Sequence, residues 1–176
     1  MPGLRIDGPE EQCGAWGRLT LRYFRNGVFL YDDVESNVLT NAGKNLWVKR
    51  LKEGTTAKGV DRMEAGDGGC LSTALYTPIP FAATDTALRD PVNLASAIQA
   101  GEVYDLGART VTYKTVLAAA LANPGDFHYT PRVINELALV TASPDNIVVA
   151  LRAFKSMIFD PNDAIEIEAE WEVGLL

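Results

Sequence analysis

One histidine, His128, and two cysteines, Cys13 and Cys70, are all the sequence offers of those two residue types. A zinc site, a histidine-dependent triad or a disulfide scaffold would have to draw on these three alone, which excludes most histidine and thiol chemistry by inventory. No GxSxG, HExxH or paired CxxC occurs, and no GxGxxG leads from a strand into a helix. No run approaches the roughly 18 apolar residues that span a bilayer; the longest apolar block lies near Val116 to Ala122, so no membrane contact is expected. The opening stretch MPGLRIDGPEEQCGAW lacks a basic region followed by an apolar one, so synthesis in the cytoplasm is expected, with both thiols reduced. Basic charge is also scarce: 16 Lys and Arg stand against 23 Asp and Glu, a net charge of −7. Direct nucleic-acid binding is therefore not expected. No cofactor, metal or catalytic residue is assigned.

What is present suits one globular domain. The 176 residues are 47% apolar and 22% charged, and a chain of this size buries roughly 70% of its unfolded surface. Residues 1–17 carry Gly3, Gly8, Gly14, Gly17, Pro2 and Pro9 without periodicity and read as an N-terminal arm. The arm either frays or lies on a neighbouring subunit, the second reading being favoured by Leu4, Ile6 and Trp16. Residues 18–176 read as a single domain with a long loop region at 54–101.

The period then changes to two. GRLTLRYF sets Leu19, Leu21 and Tyr23 on one face and Arg18, Thr20 and Arg22 on the other, and Asn26-Gly27 suits a type I′ turn. A hairpin over about residues 18–32 follows. In SNVLTNAGKNLWVKRLKEG, Leu39, Ala42, Leu46, Trp47 and Leu51 recur at helical spacing, with Asn37 or Thr40 as N-cap and Gly54 as terminator. Residues 54–101, rich in Gly, Pro, Thr and Ser, hold either short strands around Arg62 to Ala65 and Val92 to Ile98 or an excursion shaped by a partner. Four further strands are predicted at Thr110–Ala118, Arg132–Thr141, Ile147–Phe154 and Ala164–Val173, although Val116 to Ala122 would also suit a short helix. Short strands joined by turns, one early helix and no βα alternation predict a mainly β chain: an antiparallel β-sandwich, jelly-roll-like, with one early α-helix.

Several constellations invite a chemical reading. Glu166, Glu168, Glu170 and Glu172 alternate with Ile165, Ile167, Ala169, Trp171 and Val173, placing four carboxylates on one face of the last strand. That face is either solvated, relieved by bases of a neighbouring strand, or a dock for a basic partner; a glycosidase pair would need two carboxylates in unlike environments. The loop Glu64 to Gly69 has glycines enough to cradle phosphate but lacks the Lys-Ser/Thr ending of a P-loop, so a tight turn is expected. His128, between Phe127 and Tyr129, is expected to pack at a strand start. Lys44, Lys49, Arg50, Lys52 and Lys58 form the one basic cluster, either a favourable helix C-terminus or a dock for an acidic surface.

The order of the segments carries a resemblance. NVLTNAGKNLWVKRL (37–51), MEAGDGG (63–69), TDTAL (84–88), RTVTYKTVLAAALAN (109–123), INELALVTA (134–142) and the closing run 148–175 resemble small virion structural proteins of tailed bacteriophages. In those proteins an NLVTNAG helix, an ALGTG turn, a TDTAL turn, a NEAGLF-like strand and an R-x-x-F strand pair recur in this order. AGDGG departs from the GTG pattern, and LSTALYTPIPFAAT (71–84) has no counterpart. The resemblance implies a non-enzymatic virion structural protein, foremost a capsid decoration (cement) protein on the virion surface, assembled in the host cytoplasm. The implied partners are the major capsid protein, or tail and collar proteins of the same particle, with homo-oligomerisation expected. Tail, collar or fibre attachment is the alternative role, and a carbohydrate-binding module is the rival from another class. Candidate contact residues are Leu4, Ile6, Trp16, Lys49, Arg50, Lys52, Glu166, Glu168, Glu170 and Glu172.

Overall fold

The computed structural model describes residues 15–53, 59–71, 73–98, 103–105 and 107–175. Leu4, Ile6, Cys13, Gly54 and Lys58 lie outside them, as do the side chains of Leu51 and Lys52.

The alternating run after the arm forms β1 (Ala15–Arg25), and β2 (Val28–Ser36) returns beside it, so the hairpin is longer than expected at both ends. Asn26 and Gly27 have φ of 52° and 73°, the positive values that both centres of a type I′ turn require. The chain then crosses to a second sheet through β3 (Val38–Leu39) and enters the helix α1 (Asn41–Glu53). Thr40 is the cap: its Oγ1 accepts from the Gly43 N–H at 2.9 Å and donates to the Val148 carbonyl at 2.5 Å. Asn37 does not cap; its N–H bonds the Gly17 carbonyl at 3.0 Å and its side chain lies against Gly17. Leu39 belongs to β3 rather than to the helical stripe, because two residues of strand pairing with Leu151 and Ala150 precede the cap.

Residues 54–101 contain both expected strands, β4 (Val60–Gly66) and β7 (Pro91–Ala97), with the short pair β5 (Cys70–Leu71) and β6 (Ala74–Pro78) between them. The remainder runs β8 (Val103–Asp105), β9 (Thr110–Ala118), β10 (Val133–Thr141), β11 (Val148–Ile158) and β12 (Ile165–Leu175). The ambiguous stretch is divided: strand ends at Ala118 and a 3-10 turn takes residues 119–121.

Two five-stranded sheets result, ordered β2-β1-β12-β9-β8 and β3-β11-β10-β4-β7, and every pairing among the described residues is antiparallel. The protein is a β-sandwich. Its first and last long strands, β1 and β12, pair from Ala15↔Leu175 to Arg25↔Ile165 in the body of one sheet, the closure of a jelly-roll-like wrap. Leu19, Leu21, Ile165, Ile167 and Trp171 of the first sheet face Met63, Ile134, Leu137, Leu139 and Phe154 of the second. Each such side chain contributes roughly 1.5–3 kcal/mol when buried. β10 differs from its neighbours in being buried at all nine positions. Its second face carries Ala138 and Val140, which pack with Phe81 and Leu88 of the segment between β5 and β7.

α1 sits on β11 at Gly43, where an added methyl would lie 2.8 Å from the Val149 Cα and closer still to its carbonyl oxygen. Alanine gains up to about 1 kcal/mol of helix propensity over glycine, but forcing a methyl into backbone costs about 1–3 kcal/mol. Gly43→Ala is therefore expected to lower the urea midpoint while the exposed neighbour Lys44→Ala leaves it unchanged; an unchanged midpoint for Gly43→Ala would contradict this packing.

Candidate functional site

Three stretches that stand apart in sequence, MEAGDGG, TDTALRD and INELAL, meet on the second face of β10. Gly66, Asp67, Gly68 and Gly69 are all buried there, and Gly69 passes so close that a side chain would strike the Asn135 backbone. The Gly69 N–H donates to Asn135 Oδ1 at 2.6 Å, and Asn135 Nδ2 donates to Ser156 Oγ at 3.1 Å. Glu136, fully buried, accepts from the N–H groups of Asp90 at 3.0 Å and Arg89 at 3.3 Å. Burial pushes its carboxyl above the usual carboxylate range, against the pull of the backbone donors of Asp90, Arg89 and Gly68 and of the Arg89 charge. The Arg89 guanidinium lies 3.9 Å over the Phe81 ring and donates to the Ile79 and Pro80 carbonyls at 3.0 and 2.9 Å.

Asp67 extends this junction to the surface. Fully buried, it accepts from the His128 N–H at 2.6 Å and meets His128 Nδ1 at 2.8 Å, while Tyr129 donates to Asp90 at 3.1 Å. His128 is thus a clamp with a half-exposed ring rather than a residue packed at a strand start. The hydrogen bond to Asp67 raises its pKa above 6.5, helped by the charges of Asp67, Asp90 and Asp126 and opposed by burial. The glycine loop is no phosphate cradle, since its N–H groups are directed at Asn135, Glu136 and the Asp90 carbonyl. Cys70 is a buried free thiol 3.2 Å from the Phe154 carbonyl, and burial raises its pKa, the reverse of an activated nucleophile. Among the described residues no cluster of His, Cys, Asp and Glu is arranged to hold a metal ion. The junction pins the 67–90 segment over β10; Glu136, closed off from solvent, cannot meet a substrate.

The outer face of the first sheet carries the four glutamates. Arg18 meets Glu172 at 2.5 Å, Lys114 meets Glu170 at 2.8 Å, and Arg22 lies 3.8 Å from both Glu168 and Glu170. The bases come from β1 and β9, which flank β12, so the relief from neighbouring strands is realised within the sheet. Glu166 lies in register between Phe24 and Ala118. Lys44, Lys49 and Arg50 are exposed on α1. Trp16 is half-buried, its indole lying over Gly174.

A different surface stands out. β2 ends the first sheet, and Val28, Phe29, Leu30, Tyr31 and Val34 on it keep 43–59% of their surface in solvent. Tyr31 stacks on the buried Tyr23 at 5.2 Å, and Phe29 meets Phe24 edge-on at 5.6 Å. A groove lined by Tyr31, Asp33, Tyr76, Lys155 and Met157 separates β2 from the second sheet. The strand is legible in the sequence, but its exposure is set by its place at the sheet's end. Glu136 was equally hidden: a lone charge in an apolar strand was its only signal.

Comparison with family models, curated proteins and solved structures found no match for this chain.

Glu136→Ala leaves the part-buried N–H groups of Asp90 and Arg89 without their acceptor, at about 1–3 kcal/mol each. It is expected to cost about 3 kcal/mol in urea unfolding and to expose the 67–90 segment to protease, with Glu136→Gln losing less. The pH dependence has one sign for both groups. Raised folded-state values mean that the His128 contribution is complete below about pH 6.5 and lost as pH climbs through its raised value, and that of Glu136 likewise from about pH 4.5 upward. The urea midpoint should fall between about pH 6 and pH 8, and His128→Gln should flatten that decline.

Proposed function

We propose that the protein is a non-enzymatic structural component of a tailed-bacteriophage particle, a head decoration (cement) protein that binds neighbouring capsid subunits at the virion surface. The observation that carries this reading is the exposed apolar edge strand β2, with Val28, Phe29, Leu30, Tyr31 and Val34 left in water on a closed sandwich. Such an edge endangers a free monomer, whereas in an assembly it is a template for a neighbour's strand. The ordered motifs of residues 37–175 support the same reading, and the polar groups within them are used internally rather than aimed at a substrate.

The energetics call for many contacts. Five apolar side chains already half-buried offer roughly 1 kcal/mol each on full burial, about 5 kcal/mol in all. Association costs about 4–15 kcal/mol, so one edge barely holds a pair and a multivalent lattice is needed. A tail, collar or fibre-attachment role uses the same edge and differs in copy number. The carbohydrate-binding reading has less support: Phe24 and Phe29 meet at 64°, and the near-parallel pair Tyr23 and Tyr31 has one ring buried, so neither pair forms a flat, exposed platform for a sugar.

Mass spectrometry of purified particles tests the proposal. Hundreds of copies are expected for decoration; a handful would move the protein to tail or collar, and absence would overturn a virion role. Leu30→Lys with Val34→Lys should unfold within about 0.5 kcal/mol per site of the wild type, both side chains being exposed, yet be depleted from particles.

A further inference from the structure

The groove behind the β2 edge has a chemistry of its own. Tyr31 and Asp33 stand opposite Tyr23 and Leu21 of β1, both buried, so their side chains lie on the inner side of the edge strand. Tyr76 of β6 and Lys155 of β11 help to complete a space of about 280 Å³ there. That is below the roughly 300–1,000 Å³ of small-molecule sites, room for a side chain or two rather than a whole ligand. Tyr31 keeps 43% of its surface in solvent and Tyr76 73%. Burial first, then the charges of Tyr23, Asp33 and Tyr76, raise the Tyr31 pKa above 10, so Asp33 and the two exposed tyrosines are near neighbours. Among the described residues no ion pair or hydrogen bond engages the Asp33 carboxylate, and none joins it to Lys155. A half-buried carboxylate beside two tyrosine rings favours a cation, above all a guanidinium, which can pair with the one and stack on the others.

What brings that cation is decided by β2 itself. Its sequence VFLYDDVES carries three acids and no base, so the β2 of a second copy would set like charges together and bring no counter-charge. Leu30 is an extra residue on this strand, since Tyr31 pairs with Tyr23 and Phe29 with Phe24. A bulge and an inward-facing acid are devices that keep an edge from pairing with its own kind. A strand bearing a base is not excluded in this way: laid along β2, it turns alternate side chains toward the groove. The net charge of −7 draws such a partner from a distance.

We propose that the groove between β2 and the second sheet receives an arginine side chain from an extended segment of a partner protein laid along β2, its guanidinium meeting Asp33 and the rings of Tyr31 and Tyr76. The inference rests on the reading of β2 as the contact edge and adds the chemistry of what is contacted. Lys155 is the groove's own competitor for Asp33, so the site is held below its full attraction for a base until the partner arrives.

A peptide of alternating valine and threonine with one central arginine, titrated into the nitrogen-15-labelled full chain, tests it by NMR. Amide shifts over residues 28–36 and at Tyr76 are expected, and a peptide with citrulline in place of arginine should bind about tenfold more weakly, the combined effect of one cation–π contact and one cross-strand ion pair. Asp33→Asn should erase that preference, and Lys155→Gln should sharpen it. Equal binding of the arginine and citrulline peptides at β2 would overturn the inference while leaving the edge reading intact; no shift at β2 with either peptide would overturn both. Movement of the same β2 amides on dilution of the chain alone would assign the edge to a second copy and overturn the choice of partner.

Discussion

β10 is buried on both faces, and much of the second sheet's architecture follows from that constraint. A strand in one of two packed sheets ordinarily turns alternate residues to solvent, yet all nine residues of β10 are covered. The inner face meets the first sheet through Leu137 and Leu139, and the other needs a lid, which the 67–90 segment supplies through Phe81 and Leu88. Bringing loop backbone into a dry environment strands its N–H groups unless acceptors wait there. Glu136 and Asn135 are those acceptors, and the glycines at 66, 68 and 69 let the backbone come within reach of them. A carboxylate that would be a liability in an apolar strand is thereby the fastening of the lid.

Charge is handled differently on the two sides of the molecule. On the first sheet, Glu168, Glu170 and Glu172 of β12 are matched by bases on β1 and β9, pairs worth about 0–1 kcal/mol each because they remain exposed. On the second, fewer charges are buried deeply and each is satisfied by backbone or by His128. Exposed apolar side chains gather on the β2 edge, and apolar side chains also line a cleft against α1. In the proposed virion role the edge faces a neighbour.

Local pattern was enough for the long elements, but not for the short strands β3, β5, β6 and β8. Asn26-Gly27 fixes its own turn because both residues tolerate positive φ, and β9 and β12 announce themselves by alternation. The helix was legible from spacing, but its start was not: Leu39 fits the helical stripe equally well, and only pairing with β11 assigns it to a strand. The candidate site was far less legible. The MEAGDGG loop reads as a turn, His128 as a packed ring and Glu136 as a stray charge until the strand order places them together.

The sequence by itself determined the sandwich class, the hairpin and the acidic face of the last strand, because period and turn chemistry act over neighbouring residues. Tertiary structure alone decided which strand would be covered twice, which would lie at the edge, and which bases would meet Glu168, Glu170 and Glu172. Those outcomes depend on strand order, and strand order is settled by buried contacts between residues such as Leu19 and Trp171 that lie far apart in the chain.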